Sequence, residues 1–91
     1  MQIQAEQKVT ISSEVLFQEV SGEMVLLDLA SESYFGLDAI GARIWGWLES
    51  GATVGETLGT LMQEYEVERE PLEADVGELL SRLLEAGLIR M

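Results

Sequence analysis

The sequence predicts an α+β domain in which a three-stranded antiparallel sheet is followed by three helices. Three observations predict it. Strand-like runs separated by turn signals precede residue 38, apolar residues recur at helical spacing after it, and an aspartate stands at the changeover, where it can start a helix. The changeover lies within YFGLDAIGARIW, residues 34–45.

Residues 1–8 are polar, with Gln2, Gln4, Glu6 and Gln7, and are expected to form a flexible N-terminus preceding a single domain over 9–91. Residues 9–20 are β-like, carrying Val9, Thr10, Ile11, Val15, Leu16, Phe17 and Val20. Ser21-Gly22 suits a tight hairpin turn. Residues 24–29 form an apolar run of strand length interrupted only by Asp28. Small and polar residues at 30–33 predict a second turn, and 34–37 a short third strand. Short links imply a meander of order 1-2-3, with the first and third strands at its edges.

The first helix starts at Asp38, and Ile40, Ile44, Trp47 and Leu48 share one face before Gly51 closes it. Thr53 and Glu56 form a capping box for the second, which continues through Val54, Leu58, Leu61, Met62 and Tyr65. An acidic link over 66–70 leads to Pro71, tolerated in a first helical turn. The third helix carries Leu72, Val76, Leu79, Leu80, Leu83 and Leu84 and ends at Gly87, with Leu88 and Ile89 expected to fold back onto the core. Leu72, Val76, Leu79 and Leu83 lie within roughly 60° of arc, and Leu80 and Leu84 widen the stripe to roughly 140°. Such a stripe suits a helix packed on both sheet and helices, or one whose border lines a groove. Asp75 and Arg82 flank it on one side, Glu73 and Gly77 on the other, and periodicity does not choose between them.

Seventeen acidic residues against five basic ones give a net charge of -12, and there is no Cys or His. That composition removes disulfides, thiolate metal sites, the commonest metal ligand and the commonest general base. It repels phosphate backbones and anionic lipid, so neither nucleic acid nor membrane is an expected partner. Acidity serves solubility in its own right, and it also favours a basic partner. No apolar run reaches the roughly 18 residues of a membrane span, and no signal peptide is visible, so the expected location is cytoplasmic. The carboxylates at 64, 66, 68 and 70, and those at 73, 75 and 78, read as solvated faces, with no EF-hand spacing for a metal. Gly36, Gly41 and Gly46 do not form a phosphate-cradling loop. The chain is expected to be non-catalytic, without cofactor or metal.

A short edge strand exposes unpaired backbone N–H and C=O groups. Tyr34 and Phe35 on that strand can either complete the core or pack against an incoming chain, which would add as a fourth strand.

The stretch YFGLDAIGARIW, followed by WLESG, TVGETLGTLMQEYEVE and ADVGELLSRLLEAGLI, resembles the PqqD-like proteins, or RiPP recognition elements. The YFGLD-x-x-G-x-x-IW pattern is most similar to stand-alone members encoded with lasso peptides. The resemblance implies a winged-helix-like arrangement that binds the leader region of a ribosomal precursor peptide. The leader would add to the third strand at Glu32, Ser33, Tyr34, Phe35, Gly36 and Leu37. It would then lie against the third helix at Asp75, Val76, Leu79, Arg82 and Leu83, with Leu80 a further candidate, while Ile44 and Trp45 are structural. The implied partners are a leader, which the acidic surface suggests is basic, a leader peptidase and an ATP-dependent macrolactam synthetase. Alternative readings are a precursor chaperone for a radical enzyme in quinone-cofactor biosynthesis, a winged-helix DNA-binding module, which the acidic third helix disfavours, and an acidic carrier protein, which the strand-rich first third disfavours.

Overall fold

The computed structural model describes residues 4–91. Two chemically distinct turns shape its main sheet. The strands β2 (Val15–Val20) and β3 (Glu23–Asp28) are joined by Ser21-Gly22, whose φ angles of 54° and 84° are both positive. That combination marks a type I′ hairpin turn, whose twist matches the flanking strands. The turn into β4 (Ser33–Leu37) is organised by the buried Asp28, which accepts from the Ala30 N–H at 3.2 Å and the Ser31 hydroxyl at 2.8 Å. The strand order is β2-β3-β4, all antiparallel, with β2 and β4 at the edges.

The predicted first β stretch is divided. A two-residue strand, β1 (Thr10–Ile11), pairs with β5 (Ile89–Arg90) after the last helix. Ser12 separates β1 from β2: its side chain accepts from the Glu14 N–H and its carbonyl from the Val15 N–H. The expected return of Leu88 and Ile89 to the core is therefore made through a second, small sheet, and both residues are buried.

Helix α1 (Ala39–Glu49) is capped by Asp38, whose Oδ1 accepts from the Gly41 N–H at 2.7 Å. Its buried face differs from the predicted one. Gly41, Ala42, Ile44, Trp45 and Leu48 are buried, whereas Ile40 is 45% exposed and Trp47 half-buried. The helix turns Trp45, 1% exposed, onto the sheet, where the Phe17 ring meets it edge-on at 5.8 Å. Centring the stripe on the largest side chain swings Ile40 out of the core.

Helix α2 (Val54–Glu64) opens on the predicted capping box, with both the Thr53 and Glu56 hydrogen bonds made. Thr53 holds the Glu56 carboxyl below its ordinary value, chiefly through its backbone N–H. Residues 1–3 of the expected flexible segment lie outside the described residues. Residues 4–8 run against the start of α2, where the carbonyls of Gln7 and Ala5 accept from the Val54 and Gly55 N–H groups at 2.9 and 2.7 Å. These are two of the donors a helix start leaves unpaired. Gly55 permits the approach, since a Cβ there would stand 2.9 Å from Ala5.

Helix α3 (Arg69–Glu85) holds Pro71 in its first turn and buries Leu72, Val76, Leu80 and Leu83. Together with Leu26, Leu61 and Trp45 these form one core between the sheet and the helices. Each such leucine contributes roughly 2 kcal/mol of burial. Among the described residues, no helix is long and apolar enough to cross a membrane.

Candidate peptide-binding groove

The phase of the sheet determines which backbone groups of β4 are free. A two-residue hairpin makes its flanking residues, Val20 and Glu23, a hydrogen-bonded pair, and pairing then alternates along the strands. Val25 and Leu27 therefore bond toward β2, in phase with the 2.9 Å bond from the Leu29 N–H to the Glu14 carbonyl. Met24, Leu26 and Asp28 bond toward β4, where they face Leu37, Phe35 and Ser33. Tyr34 and Gly36 consequently direct their N–H and C=O groups to the open edge.

Beside that edge lies a cleft of about 390 Å³. One wall is β4, through Phe35, Gly36 and Leu37. The floor and one end come from the start of α1, through Asp38, Ile40, Gly41 and Ile44. The far wall is α3, through Pro71, Leu72, Asp75, Val76, Glu78, Leu79 and Arg82, with Val67 from the preceding link. Ile40 and Val67 are large apolar side chains left 45% and 43% exposed. A partner that covers them gains the burial the fold leaves unclaimed. The Arg82 guanidinium sits over the Phe35 ring, 5.1 Å from its centroid, tying α3 to β4 across the cleft. Asp38, Asp75 and Glu78 add three carboxylates against this one cation.

Seven of the anticipated contact residues are brought together here: Phe35, Gly36, Leu37, Asp75, Val76, Leu79 and Arg82. The border of α3 carrying Asp75 and Arg82 is thus the one that faces the strand edge. Glu32 lies in the turn before β4 with a φ of 57°, and Ser33 and Tyr34 lie on the strand but not on the cleft wall. Tyr34 is 75% exposed on the opposite face of the sheet. Leu83, and Leu80 with it, are 0% exposed and lie in the core, outside the lining of the cleft. The sequence did not point to the other cleft-lining residues, Asp38, Ile40, Gly41, Ile44, Val67, Pro71, Leu72 and Glu78. Val67 carried a signal, being a lone apolar residue in an acidic link.

A second hollow, about 670 Å³, lies on the other border of α3, between that helix, α2 and Ala5. Glu73 and Gly77 line it, and no free strand edge borders it.

The sequence profile described as Coenzyme PQQ synthesis protein D (PqqD) matches residues 23–89, most of the chain. The chain belongs to the PqqD family. Two solved structures share the fold of this PqqD-family protein. One is described as TbiB1 in complex with the TbiA(beta) leader peptide; it is 38% identical over 89% of this chain and 94% of its own, with a TM-score of 0.85. The other is described as lasso peptide synthetase B1 complexed with the leader peptide; it is 30% identical over 93% of this chain and all of its own, also with a TM-score of 0.85. No curated protein matches the chain. Both structural relatives extend over the region before residue 23 that the family profile leaves out, so β2 is part of the shared fold.

Proposed function

We propose that this PqqD-family protein recognises the leader region of a lasso-peptide precursor by adding it as a fourth strand to β4. The carrying observation is the open β4 edge set beside an apolar cleft, in a fold shared with two leader-peptide complexes. The N–H and C=O groups of Tyr34 and Gly36 form the ladder, and alternate leader side chains enter the cleft between Phe35 and Leu79. Arg82 closes the mouth over Phe35. Asp38, Asp75 and Glu78 favour a leader that brings Lys or Arg, so affinity falls modestly as salt rises. The protein itself acts without catalysis or cofactor, in the cytoplasm. It delivers the bound leader to a leader peptidase working with an ATP-dependent macrolactam synthetase. The family name belongs to quinone-cofactor synthesis, but the leader complexes at 38% and 30% identity favour the lasso reading.

Gly36→Pro tests the mechanism. It removes an N–H that the phase of the sheet assigns to the open edge, while β3 keeps its own partners. Titration of a labelled leader peptide against this variant is expected to show binding lost while the thermal melt stays close to that of the parent. Unchanged affinity in a folded variant would exclude strand addition at β4.

A further inference from the structure

A peptide on β4 uses the sheet edge and the cleft, and leaves the outward sheet face unaccounted for. On that face Leu16, Leu27 and Tyr34 stand in one row across the three strands, and Gln18, Val25 and Gly36 in the next. Leu16 is 55% exposed, Val25 38% and Tyr34 75%, with Val20 and Leu29 about half exposed at the ends. A contiguous apolar surface of this kind on a small domain marks an interaction site. Its rim has one sign. Strand alternation places Glu14 and Glu23 at its borders, and no Lys or Arg occurs between Lys8 and Arg43.

We propose that this outward face is the docking surface for the protein that receives the leader, and that the receiving surface is apolar with a Lys/Arg rim. This rests on the leader-binding reading above. Charge complementarity selects the occupant, because a second copy would set Glu14 and Glu23 against their own kind in a chain of net charge -12. Continuity with the peptide edge gives the face its use. A strand added beside β4 extends the same surface past Tyr34, with every second leader side chain turned outward. One half of the leader is thus held in the cleft while the other half is displayed, on the docking face, to the receiving protein.

The test uses the full chain, a labelled leader peptide and the purified leader peptidase encoded with it, held below saturation. The double variant Leu16→Ser/Val25→Ser removes apolar contact from two exposed positions, and Glu23→Lys reverses the rim. Both are expected to bind the leader within twofold of the parent. Leader cleavage is expected to slow at least tenfold in the first and several-fold in the second. Cleavage at the parental rate by both variants, with leader binding intact, overturns the proposal. So does sedimentation showing that the parent dimerises and that these substitutions make it monomeric. Failure of the parent to bind leader at all is a different result: it removes the leader-binding reading, and this proposal falls with it.

Discussion

Phe17 and Phe35 flank Leu26 from opposite edges of one sheet, on the same inward face, yet they serve different ends. Phe17 on β2 meets the edge of Trp45, the most buried aromatic of the core. Phe35 on β4 packs at the margin of the core, under the Arg82 guanidinium and with the cleft beside it. Both edges offer unpaired backbone, so an open edge is not sufficient for a site. What distinguishes β4 is a second wall, α3, set far enough off to leave room for side chains between them. At β2, Trp45 packs against Phe17, and the hollow of about 490 Å³ that Glu19 lines is walled by α1 and Tyr65 and not by α3.

The largest expected effect separates the two edges through their backbones. The same phase that frees Gly36 on β4 frees Glu19 on β2. Gly36→Pro should weaken leader binding at least thirtyfold, about 2 kcal/mol, from a lost ladder bond and the intruding ring. Glu19→Pro should leave affinity within twofold. Equal losses in the two variants, measured by fluorescence anisotropy, would mean that the peptide does not choose between the edges.

The two phenylalanines give the next contrast. Phe17→Ala should lower stability by about 1–2 kcal/mol in a denaturant titration, less than for a fully buried ring because Phe17 is 44% exposed. Its leader affinity should be unchanged. Phe35→Ala should lower affinity about tenfold, and because Phe35 is partly buried against the core its loss of stability should be similar in size to that of Phe17→Ala. A smaller effect again is expected of Arg82→Gln, which removes the cation from the Phe35 ring; about 0.5–1 kcal/mol, or a two- to fivefold weaker complex, is the scale of such contacts at exposed sites.

What was legible in the sequence follows the range of the interactions. The Asp38 cap, the Thr53–Glu56 box, Pro71 in a first turn and the Ser21-Gly22 hairpin involve residues at most three or four apart, and each is found where the residue types placed it. The pairing of Thr10–Ile11 with Ile89–Arg90 joins the two ends of the chain through two-residue strands, too short to show a period. In α1, apolar residues occupy most positions, so periodicity marks a stripe without its centre; packing on Trp45 turned Ile40 toward the cleft. In α3 the stripe was plain, but its working border depends on where β4 lies. A helical wheel likewise ranks Leu83 with Leu79, and only the tertiary arrangement separates the half-buried Leu79 on the cleft wall from the fully buried Leu83.

A change remote from both edges supplies the zero of the comparison. Glu56 closes the capping box of α2, and Thr53 lowers its carboxyl from an ordinary value of 4.5. A group whose folded value is depressed stabilises the fold above its unfolded value, and that contribution is lost as pH falls through the folded one. The parent should therefore lose melting temperature as pH drops below about 4.5, and Glu56→Gln should show a smaller part of that loss. Because the side chain is exposed, the difference between the two pH profiles should be small. Leader affinity at neutral pH should be equal in the two proteins, since α2 lines neither edge. If Glu56→Gln weakened leader binding as Phe35→Ala does, the cleft would depend on the whole helical layer, and the contrast between β2 and β4 would no longer locate the site.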